Sequence, residues 1–181
     1  MTVNDGLSSH DGPTSSKPQP SVATQASAFL VQAGKDRTGG TLHVFGAKTS
    51  VKISSRDSGG AYAVMEASTP PNSGPPLHLH HREDEWWYIL EGNFLFEIDG
   101  EHIQAGPGDT VFAPRGSRHT FQNTGTTAGR TLVTVVPGGL DLFFEEVSAA
   151  VPPHTPPDPA VILPIFHKYG LEFLGPPLNQ R

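Results

Sequence analysis

The sequence predicts an all-β fold, a small antiparallel barrel followed by a short helical segment. Three observations carry this. The apolar runs are short and alternate with a period of two, which places every second side chain on one face of a strand. Turn residues interrupt the runs every six to ten positions, the spacing of a β-barrel or sandwich. Twenty Gly and 18 Pro make up more than a fifth of the 181 residues, against about 12% in an average protein. They are spread between the runs rather than gathered in one linker.

Taken in order, Met1 to Pro20 is rich in Ser, Pro, Gly and Asp with a single Lys, the composition of a disordered tail. The expected division is a tail over residues 1–27, a barrel over 28–150, and a segment over 151–181 that packs on the barrel. Ala26 to Gln32 fits a strand or a helical turn equally. Thr41 to Phe45, Val51 to Ser54 and Ala61 to Ala67 read as strands. Thr69 to Pro76 holds four prolines and must be a loop. His78 opens the next strand, and Glu85 to Leu90 is bulky and β-prone. Phe94 to Ile98 runs into Asp99-Gly100, a hairpin signal, and His102 to Ala105 returns. Thr110 to Ala113, His119 to Gln122, Arg130 to Val136 and Leu140 to Phe144 complete the strands. In the C-terminal segment Asp158 caps a helix with Pro159 in its first turn, and Gly170 ends it. Pro164 inside that pattern predicts a short, kinked or split helix.

Bulk properties narrow the function. The formal net charge is -6, so there is no basic face to release counterions from phosphates, and nucleic acid is not an expected partner. The chain has no cysteine, which excludes disulfides, thiolate metal sites and a cysteine nucleophile and fits a reducing, cytoplasmic setting. No run approaches the roughly 18 apolar residues of a membrane span, and the N-terminus lacks the basic-then-apolar pattern of a signal peptide.

The most informative stretch is His78-Leu79-His80-His81-Arg82-Glu83-Asp84-Glu85. On a strand His78 and His80 share a face. A carboxylate beyond a small turn and His119 on a later strand complete three imidazoles and one carboxylate, a donor set for a divalent transition metal. Glu83 and Asp84 compete with Glu85 for the carboxylate position, and spacing alone does not choose between them. From Glu85 onward, Trp87 and Ile89 share its face while Trp86 and Tyr88 point the other way.

The run His78-x-His80-x4-Glu85-x6-Gly92 resembles the first motif of the cupin superfamily, and Gly108-x5-Pro114-x-Gly116-x2-His119-x3-Asn123 resembles the second. One position departs: where the family has Gly six residues before the first histidine, this chain has Asn72, with Gly74 nearby. Asn tolerates the left-handed backbone such a turn needs. The resemblance extends over about residues 40–147 and implies a jelly roll or barrel of six to eight antiparallel strands. Carried over residue by residue, it implies His78, His80, Glu85 and His119 as ligands of one divalent ion, Fe, Mn, Ni, Co, Cu or Zn. It also implies small single-domain relatives of the quercetin dioxygenase type.

Four protein ligands close a tetrahedral site but leave two positions open in an octahedral one, where a metal can bind substrate and dioxygen or polarise a carbonyl or enediol as a Lewis acid. Mononuclear cupins with all four ligands resemble dioxygenases, and also isomerases and oxalate-degrading enzymes; the first expectation from that resemblance is a non-haem dioxygenase or related oxidoreductase. Its small-molecule substrate would be a flavonol, enediol, catechol or dicarbonyl, with Glu85 as a catalytic base. Trp87, Ile89, Phe94, Phe96, Phe112 and Phe121 are the candidate substrate-binding residues, some of which must face outward; core packing is their plainer role. A non-oxidative isomerase, epimerase or lyase would need more polar groups around the metal. A binding protein without turnover is the third expectation. Cupins of this size resemble homodimers, and Trp86, Tyr88, Phe143 and Phe144 suggest a second buried face, covered by the C-terminal segment or by a second subunit.

Overall fold

The computed structural model describes Met1, residues 27–153, Thr155 and residues 157–181; the expected N-terminal tail falls outside this range, apart from its two ends. Eleven strands form two antiparallel sheets. The first takes the order β1 (Leu42–Val44), β2 (Ala47–Ile53), β3 (Ala63–Thr69), β10 (Gly129–Val136), β5 (Asp84–Glu91) and β8 (Thr110–Ala113). The second takes the order β11 (Leu171–Gly175), β4 (Leu77–His80), β9 (His119–Asn123), β6 (Phe94–Ile98) and β7 (Glu101–Ala105). Consecutive strands repeatedly change sheet, and no ladder joins the two sheets among the described residues. The barrel is therefore a jelly roll, closed by side-chain packing rather than by hydrogen bonds.

Alternation sets the core. Ala63, Met65 and Ala67 of β3 and Val133 and Val135 of β10 are buried, with half-buried residues between them. They face Phe94, Phe96 and Phe121 of the second sheet. Trp87 bridges the layers, its ring 5.2 Å from Phe96 and 6.0 Å from Phe121. The Asp99-Gly100 hairpin forms as expected: φ is 50° at Asp99 and 89° at Gly100, the two positive values a type I′ turn demands.

The C-terminal third departs from expectation. Leu140 to Phe144 is not a strand; it opens helix α1 (Leu140–Ala150). Leu140, Phe143 and Val147 are spaced three and four apart and form its buried face. A five-residue window shows only bulk, not this period. Asp141 in the first turn is fully buried and accepts from the Ser55 backbone N–H at 2.8 Å and hydroxyl at 3.0 Å. Helix α2 (Pro159–Tyr169) has the expected caps: Asp158 accepts from the Ala160 N–H at 2.9 Å, and Gly170 closes it at φ 77°. Pro164 neither shortens nor splits it, since in an 11-residue helix a proline removes one backbone rung, here the one that would reach Ala160. β11 then pairs along β4, so the last strand of the chain borders the first histidine motif.

Candidate metal centre

Strand β4 starts after Pro75 and Pro76, and its pleat turns both His78 and His80 inward, 8% and 1% exposed. On the neighbouring β9, His119 stands directly across from His78 in the ladder. Glu85 arrives from the other sheet on β5, where it pairs with Ala113 and Val135. The turn before His119 is tied to the turn between β4 and β5. The Gly116 N–H donates to the His80 carbonyl at 2.8 Å, and Arg115 donates to Asp84 from its backbone and guanidinium at 2.9–3.1 Å. Those links bring the two motifs together and fix the register between them.

One ligand atom from each of His78, His80, Glu85 and His119 lies within 4.8 Å of all the others. Oε2 of Glu85 is 3.2 Å from His119 Nε2 and 3.5 Å from His80 Nε2. The Nδ1 atoms of His78 and His119 lie 2.8 and 3.0 Å from the carbonyls of Pro76 and Ser117. A carbonyl only accepts, so in both rings Nδ1 carries the proton and Nε2 keeps its lone pair. Burial, followed by the neighbouring His119 and His80, holds the His78 pKa well below its ordinary value. His78 is therefore held as a neutral imidazole, the form able to bind a metal.

A transition ion fits these residues on one further observation. Neither ring nitrogen of the buried His80 has a hydrogen-bond partner, an arrangement that costs about 1–3 kcal/mol for each unmatched polar group unless something else binds there. Three imidazoles and a carboxylate, sheltered from water, are donors that Fe, Mn, Ni, Co, Cu or Zn accepts.

The three consecutive acids occupy three environments. Glu85 meets the Nε2 atoms. Asp84 points outward to Arg115, whose hydrogen bonds hold its pKa down to about 2. Glu83 is 5% exposed, on the far side of His80, with Oε2 3.6 Å from Nδ1. Asn123, the end of the second motif, is fully buried and satisfies the loop backbone: it donates to Thr69 O and Thr127 O, both at 2.8 Å, and accepts from the Gly125 N–H.

Beside the ligands lies a cavity of about 60 Å³. Of the six aromatic and aliphatic candidates, Trp87 and Phe121 line it, and Trp87 packs edge-on against His119 with ring centroids 5.6 Å apart. Ile89, Phe94 and Phe96 are fully buried core residues away from its wall. Phe112 is not brought to the site at all: it is 55% exposed on the outer face of β8, because Val111 and Ala113 take the inward positions of that strand. The rest of the wall was not anticipated. Phe45 comes from the β1–β2 turn, Phe143 and Phe144 from α1, Phe166 from α2 and Leu171 from β11. For Phe166 and Leu171 the only signal in the sequence was the apolar character of the C-terminal segment, which does not say where that segment folds; Phe143 and Phe144 were expected in a buried face but not at the site.

Residues 65–135 match the family model described as a cupin domain. Among curated proteins, the chain is 36% identical over 67 residues to an oxalate-binding protein of Thermotoga maritima, covering 37% of this chain and 55% of that protein. It is 26% identical over 119 residues to quercetin 2,3-dioxygenase of Bacillus subtilis, covering 64% of this chain and 33% of the enzyme. Both alignments span less than two thirds of the relative. The solved cupin domain of Schizosaccharomyces pombe Cnp3 superposes with a TM-score of 0.50 at 16% identity, covering 60% of this chain and 77% of that one, a likeness of fold. Two facing antiparallel sheets, both histidine motifs with their ligand atoms converging, and the matched family model together identify a cupin domain in this chain.

Proposed function

We propose that this cupin is a metal-dependent oxidoreductase of the dioxygenase type, acting on a small organic substrate that chelates through adjacent oxygens. The observation that carries the reading is the cavity wall: beyond His78, His80 and Glu85 it contains no ionisable side chain, and aromatic and aliphatic groups form nearly all of it. An isomerase or lyase of sugars would call for more hydrogen-bonding groups than the hydroxyls of Thr49 and Thr69 in that wall. A bound divalent ion with open positions supplies Lewis-acid binding of substrate oxygens and a place for dioxygen. In this reading His78, His80, His119 and Glu85 would hold the ion, Glu85 would loosen from it to take the substrate hydroxyl proton on Oε2, and Trp87, Phe121 and Phe143 exclude water.

Size adds to the reading. The inner cavity of about 60 Å³ holds roughly four to six water-sized groups, so the chelating end of a substrate fits beside the ligands and its remainder does not. A groove of about 470 Å³ shares Phe45 and Gly74 with that cavity and offers space for the remainder. The oxalate and quercetin named for two relatives both present oxygens on adjacent carbons, which is consistent with a chelating substrate.

The test is oxygen uptake by protein loaded with Fe(II), Ni(II) or Co(II), on a panel of flavonols, catechols, enediols and dicarbonyls. Uptake is expected for at least one class, with Glu85→Ala reducing it by about 100-fold or more. No uptake across the panel overturns the oxidative reading, and turnover without oxygen places the protein with the non-oxidative enzymes. The homodimer belongs to the same proposal. Trp86 and Phe112 pair across β5 and β8 on the outer face, Tyr88 lies on the same face, and Tyr88 and Phe112 are 43% and 55% exposed, an apolar patch suited to a second copy. Sedimentation equilibrium should give a dimer that Phe112→Glu dissociates.

A further inference from the structure

The three histidines are not held alike. His78 and His119 each give their Nδ1 proton to a backbone carbonyl two residues upstream, Pro76 and Ser117. His80 has no such bond; its Nδ1 has no hydrogen-bond partner, and the carboxylate of Glu83 stands 3.6 Å away. Glu83 Oε2 is likewise buried without a partner. Two complementary, unsatisfied groups therefore face each other behind the metal ligands. Movement of about 0.7 Å brings them to the 2.7–2.9 Å of a charge-assisted hydrogen bond.

We propose that Glu83 is a positioning residue for the metal centre: its carboxylate accepts the His80 Nδ1–H, fixes that tautomer, and presents Nε2 to the ion. The proposal rests on the reading of His78, His80, Glu85 and His119 as a metal site. Two consequences follow from the chemistry. An anionic acceptor makes the imidazole a better donor than a carbonyl does, so His80 becomes the strongest of the three nitrogen ligands. Glu83 also adds a second buried negative charge to that of Glu85, each residue being 5% exposed. The nearby Arg115 is engaged by Asp84. A divalent cation balances two buried carboxylates, whereas the Glu85 charge alone leaves an excess positive charge in a low-dielectric site.

The experiment uses the full chain as wild type, Glu83→Leu and Glu83→Gln. It measures Co(II) and Zn(II) affinity by chelator competition, the visible Co(II) spectrum, and the melting temperature of the metal-free protein. Glu83→Leu should weaken metal binding 10- to 100-fold and change the Co(II) spectrum. Its metal-free melting temperature should not fall, because Glu83 Oε2 makes no hydrogen bond that the variant would remove. Glu83→Gln, whose amide oxygen still accepts, should recover part of the affinity. A folded Glu83→Leu that binds Co(II) as wild type does, with the same spectrum, overturns the proposal. So does a variant that loses metal-free stability and leaves affinity intact, because that marks an ordinary structural role. Wild-type protein that binds no divalent ion would instead remove the metal site itself, an outcome distinct from both.

Discussion

Gly74 lies so close to the Phe121 carbonyl that a Cβ there would stand 1.7 Å from the oxygen. Backbone cannot yield as a flexible side chain does, so Gly74→Ala should destabilise by about 3 kcal/mol, read as a lower urea midpoint. The damage should reach the cavity wall, since Phe121 is part of it. Nearby Asn72 takes the left-handed conformation at φ 54°, as its side-chain type allowed one to expect. The carboxylates were less legible. Spacing named three candidates; which of them faces the Nε2 atoms depends on where the chain crosses between sheets. Asp84 supplies a test at this scale. Its folded pKa of about 2 lies below the ordinary 3.8. As pH falls below the ordinary value, the unfolded chain takes up a proton that the folded one refuses. The Asp84–Arg115 contribution is therefore present above about pH 4 and lost as pH falls towards 2. Melting curves of wild type and Asp84→Asn should converge over that window.

Among the elements, strands were legible wherever burial alternates. β3, β5 and β10 each bury every second residue along most of their length, and hydropathy records that directly. The caps of α2 were legible too, because Asp158 and Gly170 are determined by local chemistry. Replacing Asp158 with Ala should cost about 1 kcal/mol in chemical denaturation. Helix α1 was not legible, as its period emerges only when Val147 is set beside Leu140 and Phe143. Phe143 is 1% exposed and packs edge-on to Phe166 with centroids 5.1 Å apart. Phe143→Ala should therefore cost about 3–5 kcal/mol, the loss expected of a core helix and larger than a surface strand would give.

Across the whole molecule, the ligands come from β4, β9 and β5, so both sheets must dock before the four atoms meet. The sequence displayed the ligands but not their shelter. Leu171 of β11 pairs with His80 and Phe173 with His78, and nothing local to either segment announces so distant a pairing. A chain stopped after Gly170 should keep most of its sheet signal by circular dichroism yet bind metal more weakly, because β4 would become an unpaired edge. The molecule also carries only two tryptophans, neighbours on one strand that look in opposite directions. Trp87 rests against a ligand ring, 5.6 Å from His119, while Trp86 faces away from it. Their summed fluorescence therefore contains one emitter that a paramagnetic ion will darken and one internal reference. Filling of the centre can be followed optically in the unlabelled protein, with Trp87→Phe silencing the response and Trp86→Phe sharpening it.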